Sequence, residues 1–311
     1  MKALVTGATG AIGGRLARAL DGAGHDVRCM VRDTDSGGAK ELAGEGFELH
    51  EGNVLEPDSL TGAGEGVDIA YYLIHSMGRG SAGDFAERER SAARAFAKMA
   101  KDEGVGRVVY LGGLGDDPKS EHLRSRHETG CILRDEGPEL TYFRASMVIA
   151  AESESYRTLR YLVERLPAML APAWLKTRTQ PVYVDDAIAY LCQAAERPDS
   201  AGREVQIGAP EVVTYGELLD LMAIALGRRP RPKLPVPFLT PWLSSKWIGL
   251  VTPVDSGVAR PLVEGLSTPT VVTDPSGARL FDVEPTGIEK ALRLAVEADL
   301  GEAAPPQGVP A

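Results

Sequence analysis

At 311 residues the chain can enclose one larger domain and a smaller lobe in a single folded unit. Its formal net charge of −10, with no basic tract, argues against a nucleic-acid surface, which needs clustered positive charge to displace counterions. Three cysteines, Cys29, Cys131 and Cys192, lie far apart without a Cys-x-x-Cys pair, so neither a disulfide framework nor a zinc ribbon organises the fold.

The first element is an apolar strand at residues 2–6, followed by an amphipathic helix at 12–22. Between them run Gly7, Ala8, Thr9, Gly10, Ala11, Ile12 and Gly13, three spaced glycines at a strand-to-helix turn. There the backbone amides and the helix N-terminus can meet a pyrophosphate. Gly7 permits the tight turn, Gly10 lets the backbone approach the phosphates, and Gly13 lets the helix pack closely on its strand. A second strand at 25–31 completes the βαβ spacing. About twenty residues past the glycines, where an NAD-binding fold carries an acid for the ribose 2′-hydroxyl, stands Arg32. A guanidinium suits a 2′-phosphate, so NADP(H) is the expected cofactor in preference to NAD(H). Asp33 leaves open a solvated arginine at a strand end.

Further strands follow at 47–50, 67–73, 107–111 and 139–143, separated by helices of which 85–103 is the longest. This alternation predicts an α/β fold with a Rossmann-type, doubly wound parallel sheet. After the third strand, residues 52–60 form a turn expected near the adenine, with Asn53 and Val54 facing it and Asp58 or Ser59 supporting the next helix start. Leu73, Ile74, His75 and Ser76 leave the fourth strand at its carboxyl end, Leu111 and Gly112 the fifth and Ala145 the sixth, where the nicotinamide half belongs. The run from Glu87 to Arg90 alternates in sign, as a solvated helix face does. Asp185 or Asp186 is expected to cap a helix at 187–196, and Thr214 with Glu217 to form a capping box for a helix ending at Gly227.

The sheet domain is expected to span residues 1–145, with 176–203 returning to it. Residues 146–175 and 204–302 form a discontinuous C-terminal substrate lobe, and 303–311, rich in proline and alanine, a disordered tail. Two apolar stretches lie in the lobe: 161–174, and 234–254 with Phe238, Trp242, Trp247 and Leu250. Pro235, Pro237, Pro241, Pro253 and Lys246 argue against a membrane-spanning helix. Either a lid over a hydrophobic small molecule or packing between lobes or subunits fits them. A strand beginning at residue 2 leaves no room for a signal peptide, so a cytoplasmic location is expected. His25, His50, His75, His122 and His127 show no i, i+4 histidine pair and no companion cysteines, so no metal site is expected.

The glycine motif, residues 71–76, 109–115 and 142–145 after successive strands, and 180–187 occur in an order that resembles the extended short-chain dehydrogenase/reductase superfamily. The resemblance is to its atypical members, the group that includes NmrA-like regulators and the NADPH-binding accessory subunit of respiratory complex I. It spans nearly the whole chain. In that superfamily a tyrosine precedes a lysine by four residues, but residues 120–133 contain no Tyr-x-x-x-Lys. Alignment from Leu133 and Arg144 sets His122 at the tyrosine position and Arg126 at the lysine position, on one helix face. Gly112 and Gly113 stand where the family often has a catalytic serine or threonine.

Arg126 can hold ribose hydroxyls but cannot exchange a proton, and its charge would tend to depress the pKa of His122, making it a better base than acid, whereas an unperturbed imidazole serves either role near neutrality. His122 and His75 are thus the candidate proton carriers; Tyr156, Tyr161 and Tyr183 could enter from the second lobe. The resemblance implies an NADP(H)-dependent oxidoreductase reducing a hydrophobic carbonyl or conjugated small molecule. The alternative is a non-catalytic NADPH-binding structural or redox-sensor protein acting through a protein partner. A homodimer is compatible with either.

Overall fold

The computed structural model describes residues 1–74, 82–115, 120–166, 169–235 and 265–302. The elements in chain order are β1 (Lys2–Thr6), α1 (Ala11–Gly22), β2 (Asp26–Val31), α2 (Gly37–Gly44), β3 (Glu48–Glu51), β4 (Ile69–Tyr72), α3 (Ala82–Asp102), β5 (Arg107–Gly113), α4 (Glu121–Glu136) and β6 (Glu139–Ala145). There follow β7 (Val148–Ile149), α5 (Glu154–Arg165), β8 (Met169–Ala171), β9 (Arg178–Thr179), β10 (Val182–Tyr183), α6 (Val184–Gln193), β11 (Glu204–Ile207), β12 (Val213–Thr214), α7 (Tyr215–Ala225), β13 (Lys233–Pro235) and α8 (Ile288–Glu302).

Seven parallel strands form the central sheet in the order β11-β6-β5-β4-β1-β2-β3. Parallel neighbours require crossovers, and the helices between them cover both faces, which accounts for strands that are apolar on both sides. The period-2 alternation sorts side chains to two cores. Val5, Tyr71, Val109 and Phe143 face α1, α2 and α6, while Leu4, Tyr72, Val108 and Tyr142 face α3 and α4. Each such large side chain removed from water contributes about 1.5–3 kcal/mol.

Order reverses at β1, whose neighbours are β4 and β2. The Thr6 hydroxyl fastens that point: it donates to the Tyr71 carbonyl and accepts from the Leu73 amide, each at 3.0 Å. Register aligns Tyr72, Tyr110 and Tyr142 across β4, β5 and β6, with ring centroids 5.9 and 5.3 Å apart. This row fixes two glycines, since a Cβ on Gly112 or Gly130 would come within 2.5 or 2.7 Å of the Tyr142 ring.

A third core lies in the lobe, where Tyr156, Leu159, Leu162 and Val163 of α5 meet Trp174, Leu218, Leu219 and Met222, and Ile288, Leu292 and Val296 of α8. One boundary needs correction. Glu204–Ile207, expected in the lobe, is the edge strand beside β6. Its polar residues Glu204 and Gln206 are used at that edge, Glu204 accepting from Arg144 at 2.7 Å and Gln206 from the Thr273 amide at 2.7 Å. The helix at 187–196 also moves. α6 starts at Val184, so Asp185 and Asp186 occupy its first turn and cap nothing; Asp186 instead accepts the Thr286 amide at 2.7 Å and hydroxyl at 2.9 Å. At 57–60 a short 3-10 turn replaces the expected helix start, and the Ser59 hydroxyl accepts the Asn53 amide at 2.8 Å. The Thr214–Glu217 capping box is present, although α7 ends at Ala225. His75 and Ser76, the stretch from Phe238 through Pro253 with its tryptophans, and the tail 303–311 lie outside the described residues.

Candidate functional site

A cavity of about 720 Å³ runs from the loop after β1, across the carboxyl ends of β4, β5 and β6, into the lobe. It occupies the topological switch point, where open α/β sheets receive ligands. Gly7, Thr9, Gly10, Ala11, Ile12 and Gly13 form one wall. Gly7 has φ +65°, a left-handed conformation that other residues rarely adopt. α1 begins without a side-chain cap, and as its first residues Ala11, Ile12 and Gly13 offer amides with no intrahelical acceptor. That wall is a cradle for anionic oxygens.

Arg32, Asn53 and Val54 border the cavity at the β2 and β3 end. Arg32 is exposed, and the Asp33 carboxylate beside it is turned to its own loop, accepting the Asp35 amide at 2.8 Å. The Asn53 side chain is spent locally, donating to Glu56 at 2.8 Å and accepting from the Leu55 amide at 3.1 Å. Its loop therefore supplies a wall rather than a free amide. Leu55, 47% exposed, lines the same rim.

Leu73, Ile74, Leu111, Gly112 and Ala145 form the floor at the strand ends, with His122 and Arg126 above them on α4. Ser120 caps that helix and orients its first turn. The Arg126 guanidinium donates to the Leu111 carbonyl and lies 5.9 Å from the Tyr110 ring centroid, while the Tyr110 hydroxyl donates to the Arg126 carbonyl at 3.0 Å. His122 is half-buried, its ring 6.3 Å from that of Phe85.

Of the tyrosines expected from the lobe, Tyr156, Tyr161 and Tyr183 are absent from the cavity wall. Tyr156 is fully buried in the lobe core and donates to Asp299 at 3.3 Å. Tyr161 carries the Arg165 guanidinium at 4.8 Å. Tyr183 packs between two cores; burial, with Asp185 adding to it, pushes its hydroxyl up to about 12. From the apolar stretch 161–174 the lobe contributes Leu162 and Trp174, and it adds Ser146, Glu152, Tyr215, Leu219 and Thr270, which sequence reasoning missed. Glu152 pairs with Arg15 of α1 at 2.6 Å. Burial alone would raise its carboxyl, but the hydrogen bond from Arg15 and its charge carry it below the usual range.

The expectation that no histidine has a companion cysteine fails on α4, where Cys131 Sγ lies 3.7 Å from His127 Nε2 at i, i+4 spacing. The pair is outside the cavity. Among the described residues no group of three His, Cys, Asp or Glu side chains is placed to hold a metal ion, and no helix is long and apolar enough to cross a membrane.

Comparison with known proteins agrees with this geometry. The chain is 27% identical over 299 residues to the Mus musculus mitochondrial protein NADH dehydrogenase (ubiquinone) 1 alpha subcomplex subunit 9, covering 92% of this chain and 77% of that one. It is 23% identical over 234 residues to the NAD(P)H azoreductase of Xenophilus azovorans, covering 72% and 74%. The fold superposes on triphenylmethane reductase of Citrobacter sp., solved with NADP(H), with a TM-score of 0.74 at 17% identity, over 95% of this chain and 100% of that one. The sequence pattern of the NmrA-like family matches residues 1–234, all of the central sheet and most of the cavity wall, and the chain belongs to that family.

Proposed function

We propose that the protein is an NADP(H)-dependent oxidoreductase that reduces a hydrophobic carbonyl or conjugated small molecule. The observation that carries this reading is the continuity of one cavity from the glycine cradle to the apolar lobe, so that a dinucleotide and a second molecule can meet within it. The cradle fits a pyrophosphate because α1 starts at an uncapped Gly10, which puts no side chain over the unpaired amides of Ala11, Ile12 and Gly13, while Gly13 lets the helix sit close on the strand, a Cβ there falling 2.2 Å from the Gly7 carbonyl oxygen. When bound, the nicotinamide supplies the hydride.

The chain's own residues bind and orient. The amides of Ala11, Ile12 and Gly13 hold the pyrophosphate. Arg32 takes the 2′-phosphate, and Arg126, braced by Leu111, takes ribose hydroxyls. His122 carries the proton that accompanies reduction, an imidazole being able to donate near neutrality. Leu159, Leu162 and Leu219 exclude water around the second molecule. The named relatives include reductases, which supports hydride transfer as the class of chemistry.

A second reading, a non-catalytic NADPH-binding protein acting through a protein partner, is favoured by one observation. Gly112 and Gly113 present no hydroxyl where the superfamily uses one, and at Gly112 the Tyr142 ring leaves no room for a side chain. One experiment separates the two. The purified protein is denatured, released nucleotide is identified by mass spectrometry, and its amount is compared before and after prolonged dialysis. Readily lost NADP(H), or an empty protein that binds NADPH reversibly and oxidises it with apolar carbonyl or enone compounds, supports the enzyme. Stoichiometric nucleotide that survives dialysis, without turnover, supports the second reading.

A further inference from the structure

Where the cofactor end of the cavity passes into the lobe, three hydroxyls from distant segments meet. Ser146 Oγ lies 2.7 Å from Thr179 Oγ1 and 2.8 Å from Thr270 Oγ1, and the two threonine oxygens are 3.0 Å apart. Tyr215 borders the same part of the cavity. Ser146, Thr179 and Thr270 are separated by 33 to 124 positions, so only the tertiary fold unites them. Ser146 directly follows β6 and is half-buried, whereas Thr179 is fully buried and Thr270 and Tyr215 nearly so. Ser146, Thr270 and Tyr215 line the cavity; Thr179 stands behind them.

Backbone bonds hold the group rigid. The Gln180 amide donates to the Thr270 carbonyl at 2.9 Å and the Thr270 amide to the Arg178 carbonyl at 3.1 Å. The Gln180 side chain ties the same segments by accepting the Val272 amide at 2.9 Å and donating to the Ala209 carbonyl at 2.6 Å. Beyond the hydroxyls the wall is apolar, with Met147, Leu159, Leu162, Trp174, Leu219 and Leu266.

Each hydroxyl carries one proton and two acceptor positions. In a closed triangle, Ser146, Thr179 and Thr270 use all three protons on one another. If the order runs instead from Thr179 through Thr270 to Ser146, one edge of the triangle is given up and the Ser146 proton is free to point into the cavity. An acceptor on a ligand replaces the lost edge, so a ligand oxygen selects the outward arrangement at little cost. An apolar ligand without an acceptor leaves the triangle closed.

We propose that this hydroxyl cluster is the subsite for the carbonyl oxygen of the substrate, with Ser146 donating to that oxygen and Thr179 and Thr270 as positioning residues behind it. The inference rests on the cavity being a cofactor-and-substrate site, and it assigns the recognised chemistry: an apolar ring system bearing one hydrogen-bond acceptor at its buried end.

The test uses binding, which does not depend on turnover. 1-Indanone and indane, alike in shape but differing by one carbonyl oxygen, are titrated by ligand-observed NMR into the full chain with and without NADP+. Ser146→Ala is expected to weaken 1-indanone roughly five- to tenfold, the worth of one hydrogen bond, and to leave indane unchanged. Thr270→Val should act in the same direction and Thr270→Ser should restore the wild-type preference. A parallel loss for both ligands, an unchanged preference in Ser146→Ala and Thr270→Val, or binding of neither compound by the wild type would overturn the subsite. A selective loss for 1-indanone in a protein that never oxidises NADPH supports the subsite and sinks the reductase reading instead.

Discussion

Gly13 and Gly7 approach each other so closely that a Cβ on Gly13 would lie 2.2 Å from the Gly7 carbonyl oxygen and 2.7 Å from its carbon. The contact is backbone against backbone, so no rotamer change relieves it. Gly13→Ala is expected to displace α1 from the loop, cost about 1–3 kcal/mol of stability as overpacking does, and weaken NADPH binding. Chemical denaturation and fluorescence titration measure the two effects. An alanine variant that is as stable as wild type and binds NADPH as tightly would show that the close approach of α1 to Gly7 does not set the cradle.

Arg32 is exposed on the cavity rim, and Asp33 is occupied by the Asp35 amide. Arg32→Glu removes the donors and adds a charge that repels a 2′-phosphate. NADPH should weaken roughly 10- to 100-fold, the worth of charged hydrogen bonds, with NADH little affected. Dissociation constants for both nucleotides measure this, and an unchanged preference would remove Arg32 from the cofactor assignment.

His122→Phe keeps a ring beside Phe85 and removes the exchangeable proton. With any accepted substrate, single-turnover hydride transfer should slow by about 10²–10⁴-fold, the usual contribution of a general acid. The NADPH dissociation constant should stay within about threefold of wild type. A full single-turnover rate would exclude His122 as the proton carrier.

Thr214→Ala breaks the capping box of α7 and is expected to cost about 1 kcal/mol, read from urea denaturation. Hydrogen bonds from the Thr214 amide and hydroxyl hold the Glu217 carboxyl below its usual range. A depressed carboxyl contributes stability that is present above its unfolded value and lost as pH falls through its folded one. Below about pH 4.3, the ordinary glutamate value, the difference between wild type and variant should therefore shrink. A difference that grows on acidification would contradict the box as its source.

What the sequence disclosed depended on how local each signal was. The glycine loop, Arg32 and the pair His122 and Arg126 sit at fixed spacings within one βαβ unit or one helix turn, and all of them border the cavity. The hydroxyls of Ser146, Thr179 and Thr270 come together only through three separate segments, which no spacing announces. Tyr215 was legible only as the first residue of a capped helix, and it both packs in the lobe core and reaches the cavity wall, whereas Tyr156, inside the first turn of α5, and Tyr183, just before α6, do not reach that wall. β11 was misjudged because an edge strand alternating Glu204, Val205, Gln206 and Ile207 looks like a surface segment until its neighbour is known. Asp185 and Asp186 have the right residue type for a cap, but α6 begins before them. His127 and Cys131 stood at helical spacing in plain view and were overlooked.

α8 completes the lobe core with Ile288, Ala291, Leu292, Ala295 and Val296. On the ribosome this helix emerges long after β1 to β6 and after β11 has closed the sheet edge. At roughly 5–20 residues/s several seconds pass between synthesis of β11 and of α8, and through them the sides of α5 and α7 that α8 covers in the finished lobe lack that cover. A growing polypeptide thus has every strand of its central sheet before its lobe core can be complete, and during that interval those uncovered sides are what a chaperone would meet.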